Sequence, residues 1–272
     1  MHILNDSFEY AMQGRRLSTV ETVRDLGVYI SSNLKSALHC YEASCKANKM
    51  LGLVKRTIKH RSPDLMVRLY TSLVRPHLEY CSSAWSPHYR KDKLLLEKVQ
   101  HRFSRLFEDL KHLNYSERLR KLKLWSLEER RNRADLIELF KMVHGISTVP
   151  LEWYFQLADN SRTRGHSWKL AKAHSRCDVR LHFYSVRVLN RWNGLPQVAV
   201  DVTTVGSFKN HLEKLRNKQM ASNYKLLVRK ILRLPDLCLY VGTWNSSQLD
   251  SSGAAAPGEI YKCYTYTLQT IV

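Results

Sequence analysis

Between residues 62 and 106 the apolar positions recur twice with the period of a helix. Leu65, Leu69, Tyr70, Leu73 and Val74 fall on one face of the first helix. Ser62, Pro63 and Asp64 start it. The serine oxygen accepts an orphan amide, proline has no amide to waste at the first helical position, and a carboxylate suits the positive end of the dipole. Pro76 removes the amide that would bond to the Ser72 carbonyl, so the helix should kink or restart there before Trp85, Ser86 and Pro87 end it. A second helix follows from about Lys91, carrying two stripes side by side. Leu95, Leu96, Val99, Phe103 and Leu106 occupy roughly a third of its circumference, and Lys91, Lys98, Arg102 and Arg105 form a narrow arc beside them. The apolar arc packs. The basic arc faces out, either as a solvated helix face or as a row of cations for a ligand.

The same periodicity extends both ways. Over residues 33–56, Leu34, Leu38, Tyr41 and Cys45 share one helical face, and Lys35, Lys46 and Lys49 a neighbouring one. Lys55, Arg56, Lys59, His60 and Arg61 make the end of that helix densely basic, and with the two helices above it forms a three-helix unit. Upstream, Ile3, Leu4, residues 8–11 and the β-branched Val20, Val23, Val28 and Ile30 around Gly27 predict a short antiparallel element that would be marginal alone in water. Downstream, residues 115–121 and 126–145 are helical. Ser126 and Glu129 have capping-box spacing, Leu127, Ala134, Ile137, Phe140 and Val143 form the apolar face, and Gly145 is the stop. Arg130, Arg131 and Arg133 stand among Glu128, Glu129, Asp135 and Glu138, which predicts intrahelical ion pairs. Trp125 is expected to anchor in the core, as are Tyr70, Tyr80 and Trp85 in preference to stacking on a base.

Past Pro150 the pattern weakens. A short helix over 151–158 precedes a basic stretch, 161–180, that is either a β ribbon or an ordered loop. Arg162 and Arg164 flank Gly165 there, where a backbone turn could meet a phosphate. Helices follow at 183–192, closed by Asn193-Gly194-Leu195-Pro196, and at 204–214. The expected fold class is mainly α, a helical bundle with a short amino-terminal β hairpin and a small β ribbon in the carboxyl half. Its regions are 1–31, 32–110, 111–217, and a tail, 218–272, expected to be poorly ordered because residues 246–258 are linker-like and the last twelve offer one unpartnered strand at most.

Charge narrows the choice of partner. Forty-four Lys plus Arg against 24 Asp plus Glu give a formal net charge of +20, which favours a polyanion, with nucleic acid first. An anionic membrane surface also answers to charge, but no apolar run reaches the roughly 18 residues of a span. The first ten residues lack a secretory pattern, so an intracellular protein, nuclear or cytoplasmic, is expected. Six scattered cysteines predict reduced thiols. His166, His174, Cys177 and His182 cluster on paper without structural-zinc spacing, so no metal is expected.

The run LVRPHLEYCSSAWSPHYRKDKLLLEKVQHRFSRL, followed by LRKLKLWSLEERRNRADLIELFKMVHG, resembles the region after the polymerase core in reverse transcriptases of non-LTR retrotransposons of the jockey and chicken-repeat type. VRDLGVYISSNLK, ANKMLGLVKR, RTRGHSWKL, FYSVRVLNRWNGLP and VGSFKNHLEKL resemble the same family in the same order, over roughly residues 10–216. The resemblance implies that residues 1–31 correspond to the edge of the palm and 32–110 to the thumb, which grips a template-primer duplex through its phosphates. It leaves room for docking on an intact palm in trans. Polymerases of this family hold two Mg ions on aspartates that include an Asp-Asp pair. This sequence has no Asp-Asp pair, so no catalytic residue carries over, and no cofactor is expected; Mg belongs to the intact parent enzyme. The expected function is binding of RNA, DNA or hybrid duplex without sequence preference or polymerase activity. Candidate contacts are Lys46, Lys49, Lys55, Arg56, Lys91, Lys98, Arg102, Arg105, Arg162 and Arg164. The alternatives are a domesticated sequence-specific DNA-binding regulator and an inert pseudogene product.

Overall fold

The computed structural model describes residues 10–59, 62–158, 165–172 and 174–231, with 219–231 in backbone only. Two tight antiparallel hairpins come first. β1 (Ala11–Met12) pairs with β2 (Arg15–Arg16), and β3 (Thr22–Asp25) with β4 (Val28–Ser31), Asp25 lying opposite Val28. Both two-residue turns have positive φ throughout, 50° and 73° at Gln13 and Gly14 and 43° and 86° at Leu26 and Gly27, the hand that suits strand twist. β3 is exposed along its length, so the second hairpin leans on the helices. Val28 enters the core, the Tyr29 amide donates to His39 Nδ1 (3.2 Å), and the Tyr80 hydroxyl donates to the Leu26 carbonyl (3.0 Å). Tyr80, expected in the core, is 58% exposed and holds this turn instead.

Helix α1 (Ala37–Thr57) buries Cys40, Ala43, Ala47, Leu51 and Val54. The expected apolar face is wrong in phase: Leu34 and Tyr41 are exposed, and Leu38 and Cys45 are only half-buried. Small residues carry little hydropathy, but they admit neighbouring backbones closely, and here that decides the packed side. α2 (Pro63–Leu69) runs into a π-helical turn (Tyr70–Val74), where the Arg75 amide reaches the Tyr70 carbonyl five residues back (2.9 Å). α3 (Pro76–Glu79) then begins on the proline. The restart expected at Pro76 is thus made by one wide turn, which absorbs the missing amide without a break in direction. Cys81, with φ 51°, turns the chain into α4 (Ser82–Trp85), and α5 (Arg90–Ser104) follows.

α6 (Tyr115–Lys121) and α7 (Leu127–Val143) both open on complete capping boxes, Asn114 with Glu117 and Ser126 with Glu129. One hydrophobic core gathers α1 to α6 and the start of α7, from Val28 to Leu127, with Tyr70 stacked on Phe103 at 4.2 Å. At its centre Gln100, fully buried, accepts from the Tyr70 hydroxyl (2.9 Å) and donates to the Tyr115 hydroxyl (3.1 Å) and the Trp125 carbonyl (3.0 Å). Trp125 itself is only half-buried, under the Arg133 guanidinium.

α8 (Asp178–Leu181) buries no residue, and a second core joins the rest of α7 to α9 (Tyr184–Arg187), α10 (Leu189–Asn193), α11 (Gln197–Val200) and the start of α12 (Val205–Ile231). Trp192 fills its centre, donating its indole N–H to the Trp168 carbonyl (2.8 Å), and Phe140 stacks on Phe208 at 4.3 Å. The ribbon expected in this half is a single antiparallel bridge between Leu157 and Leu170. Its second side is pinned by Asn193, which exchanges two hydrogen bonds with the Leu170 backbone. α12 begins where the helix over 204–214 was expected and continues to Ile231. The tail beyond 231 lies outside the described residues. The fold is therefore mainly α with a short amino-terminal hairpin, as the sequence pattern predicts. Among the described residues no helix is long and apolar enough to cross a membrane.

Candidate nucleic-acid interface

The basic arc of α5 exists because the acids of the same helix are drawn inward. Asp92 is buried, and Glu97 accepts from the Tyr115 hydroxyl and the Leu127 amide (3.1 Å to Oε2), which places a carboxylate at the amino end of α7. Desolvation raises the Glu97 carboxyl, and those two hydrogen bonds oppose the shift. With Leu96, Val99 and Phe103 fully buried, Lys91, Lys98, Arg102 and Arg105 are left exposed on one side. They span about 21 Å at ~1.5 Å rise per residue, the length of roughly six phosphates along one strand.

α1 packs along α5, and their polar edges meet where Arg102 Nη1 donates to Asn48 Oδ1 (2.9 Å). Lys55 lies two turns on from Asn48 along the same stripe and is exposed. Lys49 and Arg56 are also exposed, on the side of α1 opposite its buried ridge. Lys46 differs: it is half-buried, and its ammonium lies 5.6 Å from the Tyr29 ring centre. It belongs with the hairpin contact more than with the ridge. α1 and α5 thus bring Lys55, Lys98, Arg102 and Arg105 to one shared edge, with Lys49 and Arg56 round the side of α1 and Lys91 at the start of α5. Arg162 and Arg164 lie outside the described residues.

The arginines of α7, expected in intrahelical ion pairs, also reach beyond the helix. Arg130 makes a bidentate pair with Glu79 of α3, one bond at 2.8 Å. Arg131 is 2% exposed, and Arg133 lies over the Trp125 ring and donates to the Lys209 carbonyl (3.3 Å). Of the acids, Glu128 pairs with Lys93, Glu129 caps its own helix, and Asp135 holds Arg187 through two hydrogen bonds of 2.9 and 3.0 Å. Glu138 finds its partner within the helix, in Lys141. The missed signal is spacing: Arg131 and Asp135 fall at four-residue steps between Leu127 and Leu139, inside the apolar face.

The histidine and cysteine cluster drawn on paper does not assemble, since His166 is buried with Nε2 on the Trp192 carbonyl (2.9 Å). Among the described residues His88, Asp178 and His182 do approach, with ligand atoms within 4.8 Å. The His88 and His182 rings stack at 4.2 Å and 6°, so their lone pairs lie in near-parallel planes and do not converge on one ion. No known protein family, curated protein or solved structure matches the chain.

Proposed function

We propose that this chain binds nucleic acid through its phosphate backbone, without reading sequence, and that it is the post-palm region of a retrotransposon reverse transcriptase without polymerase activity of its own. The observation that carries this reading is the single-sign edge shared by α1 and α5 in a protein of net charge +20. Phosphate contacts need cations in a row and little else. Reading of adenine needs an amide presented on a helix that fits the major groove. Gln100, the one amide side chain of α5, is fully buried, and Asn48 of α1 is occupied by Arg102. That disfavours the alternative of a sequence-specific regulator. The family assignment rests on the ordered motif resemblance, and the lack of polymerase activity on the missing Asp-Asp pair.

The test is competition binding on duplex, hybrid and single-stranded probes of unrelated sequence at two salt concentrations. Affinity should be similar across sequences and fall steeply with salt. The Lys98→Glu/Arg102→Glu/Arg105→Glu variant should flatten the salt slope on duplex DNA by about 2.7, three phosphate contacts at ~0.9 each. A preferred site would favour the regulator, and an unchanged slope would remove the ridge from the interface. Primer extension in magnesium would overturn the reading of an inactive chain.

A further inference from the structure

A cavity of about 320 Å³ opens between the loop before α5, the first half of α7 and helices α8 to α10. Its lining carries five cations, Lys93, Arg131, Lys172, Arg187 and Arg191, and one carboxylate, Glu128. Most of the opposite charge nearby is already committed. Lys93 holds Glu128 at 2.7 Å, and Arg187 holds Asp135. The carboxylates whose charge acts on Arg131 are Glu97, Glu128 and Glu79, hydrogen-bonded respectively to Tyr115 and Leu127, to Lys93 and to Arg130. Lys172 donates to Asn190 Oδ1 (3.2 Å) and Arg191 to the Arg187 carbonyl (3.4 Å), both neutral acceptors.

Among the described residues, two side chains on this cavity keep buried nitrogen atoms without a hydrogen-bond partner. They are Arg131, through both Nη1 and Nη2, and His88, through Nε2, whose nearest carboxylate oxygen, on Asp178, is 3.6 Å away. A buried guanidinium with two idle donors is costly unless something accepts from them. The two Nη groups form a planar fork that matches two oxygens of a tetrahedral oxyanion, and His88 lines the same cavity. Lys172 and Arg191, both exposed, stand at the mouth.

We propose that this cavity binds a phosphate group, with Arg131 as the bidentate anchor and Lys172 and Arg191 as the entry cations. The site is separate from the α1–α5 edge and does not rest on the nucleic-acid reading. The experiment is calorimetric titration of the full chain with inorganic phosphate. Arg131→Met should weaken binding at least about tenfold, the loss of one charge-assisted bidentate pair. Because that substitution touches the core, the surface variant Lys172→Ala/Arg191→Ala is run beside it and should weaken binding several-fold with an unchanged melt. The α5 charge-reversal variant should bind phosphate as the parent does, so that failure of the ridge and failure of the cavity are told apart. A short 5′-phosphorylated oligonucleotide that binds more tightly than its unphosphorylated twin, in a manner dependent on Lys172 and Arg191, would identify a strand end as the source of the phosphate. Equal binding of the twins alongside cavity-dependent phosphate binding would identify the free anion. No phosphate binding in the parent protein, or binding indifferent to both cavity variants, overturns the proposal.

Discussion

Lowering the pH from 7.5 to 5 should strip about 2 kcal/mol from the stability of this fold through His39 alone. His39 lies on α1 against Trp85, with ring centres 4.4 Å apart, and accepts the Tyr29 amide on Nδ1, so the native ring is neutral there. Burial first, and the Lys46 ammonium second, push its pKa from 6.5 down to about 4. The folded value lies below the unfolded one, so on acidification the unfolded chain takes up the proton first. Stability is intact above about pH 6.5 and is lost as pH falls toward 4. The ceiling is about 3.4 kcal/mol, 2.5 units at ~1.36 each, and by pH 5 about 2 kcal/mol of it is gone. For a domain of this size that corresponds to roughly 4–8 °C in Tm. Thermal melts of the parent and of His39→Gln, which keeps an acceptor within reach of Tyr29 but cannot titrate, measure the difference between pH 7.5 and 5. His88 and His101 are also held low by burial, and Glu97 is raised by it, but these act in both proteins and cancel. Equal Tm losses in the two proteins, or an NMR midpoint for His39 near its ordinary value, would refute the argument.

Three further substitutions test the packing. Asp135→Ala should cost about 3–5 kcal/mol in chemical denaturation, because it leaves the Arg187 guanidinium, 14% exposed, without its carboxylate. Gln100→Leu removes the one acceptor of the Tyr70 hydroxyl shown here and the donor to the Trp125 carbonyl, and should cost about 2–3 kcal/mol by the same assay. Ser126→Ala breaks the α7 capping box and should cost about 1 kcal/mol, visible as a small fall in the denaturation midpoint at unchanged slope.

What the sequence discloses best is period, and what it discloses worst is phase. The helical spacing over 33–56 is correct, but the rotation of α1 about its axis is set by Cys40, Ala43 and Ala47, whose smallness admits neighbouring backbones and whose hydropathy is outweighed by Leu34 and Tyr41. α5 is less ambiguous: Leu95, Leu96, Val99 and Phe103 fall on one arc, with Leu94 alone of its large apolar residues exposed beside the cations, so both its packed side and its basic side follow from the pattern. Pro76 announces a discontinuity, but whether the helix kinks, breaks or widens depends on what surrounds it, and here one π turn keeps Tyr70 and Val74 both in the core. The bridge at Leu157 and Leu170 was legible only as a choice between ribbon and loop, because its geometry is imposed by Asn193, more than twenty residues away in the chain.

Charge is legible as a sum and illegible as a set of partners. Four arginine-rich positions read alike in sequence, Arg102 in α5 and Arg130, Arg131 and Arg133 in α7, yet they meet an amide, a carboxylate, no hydrogen-bond partner at either Nη, and an aromatic face. The difference arises from where the acids go. In α7 two carboxylates reach across to other elements, Asp135 to Arg187 and Glu128 to Lys93, so local alternation of sign need not become local pairing. In α5 the two acids turn inward, and the cations beside them are left facing solvent as one sign. The basic edge of α5 and the cation-rich lining of the cavity therefore arise from the same cause: long-range capture of carboxylates strands positive charge that a helical wheel would have cancelled.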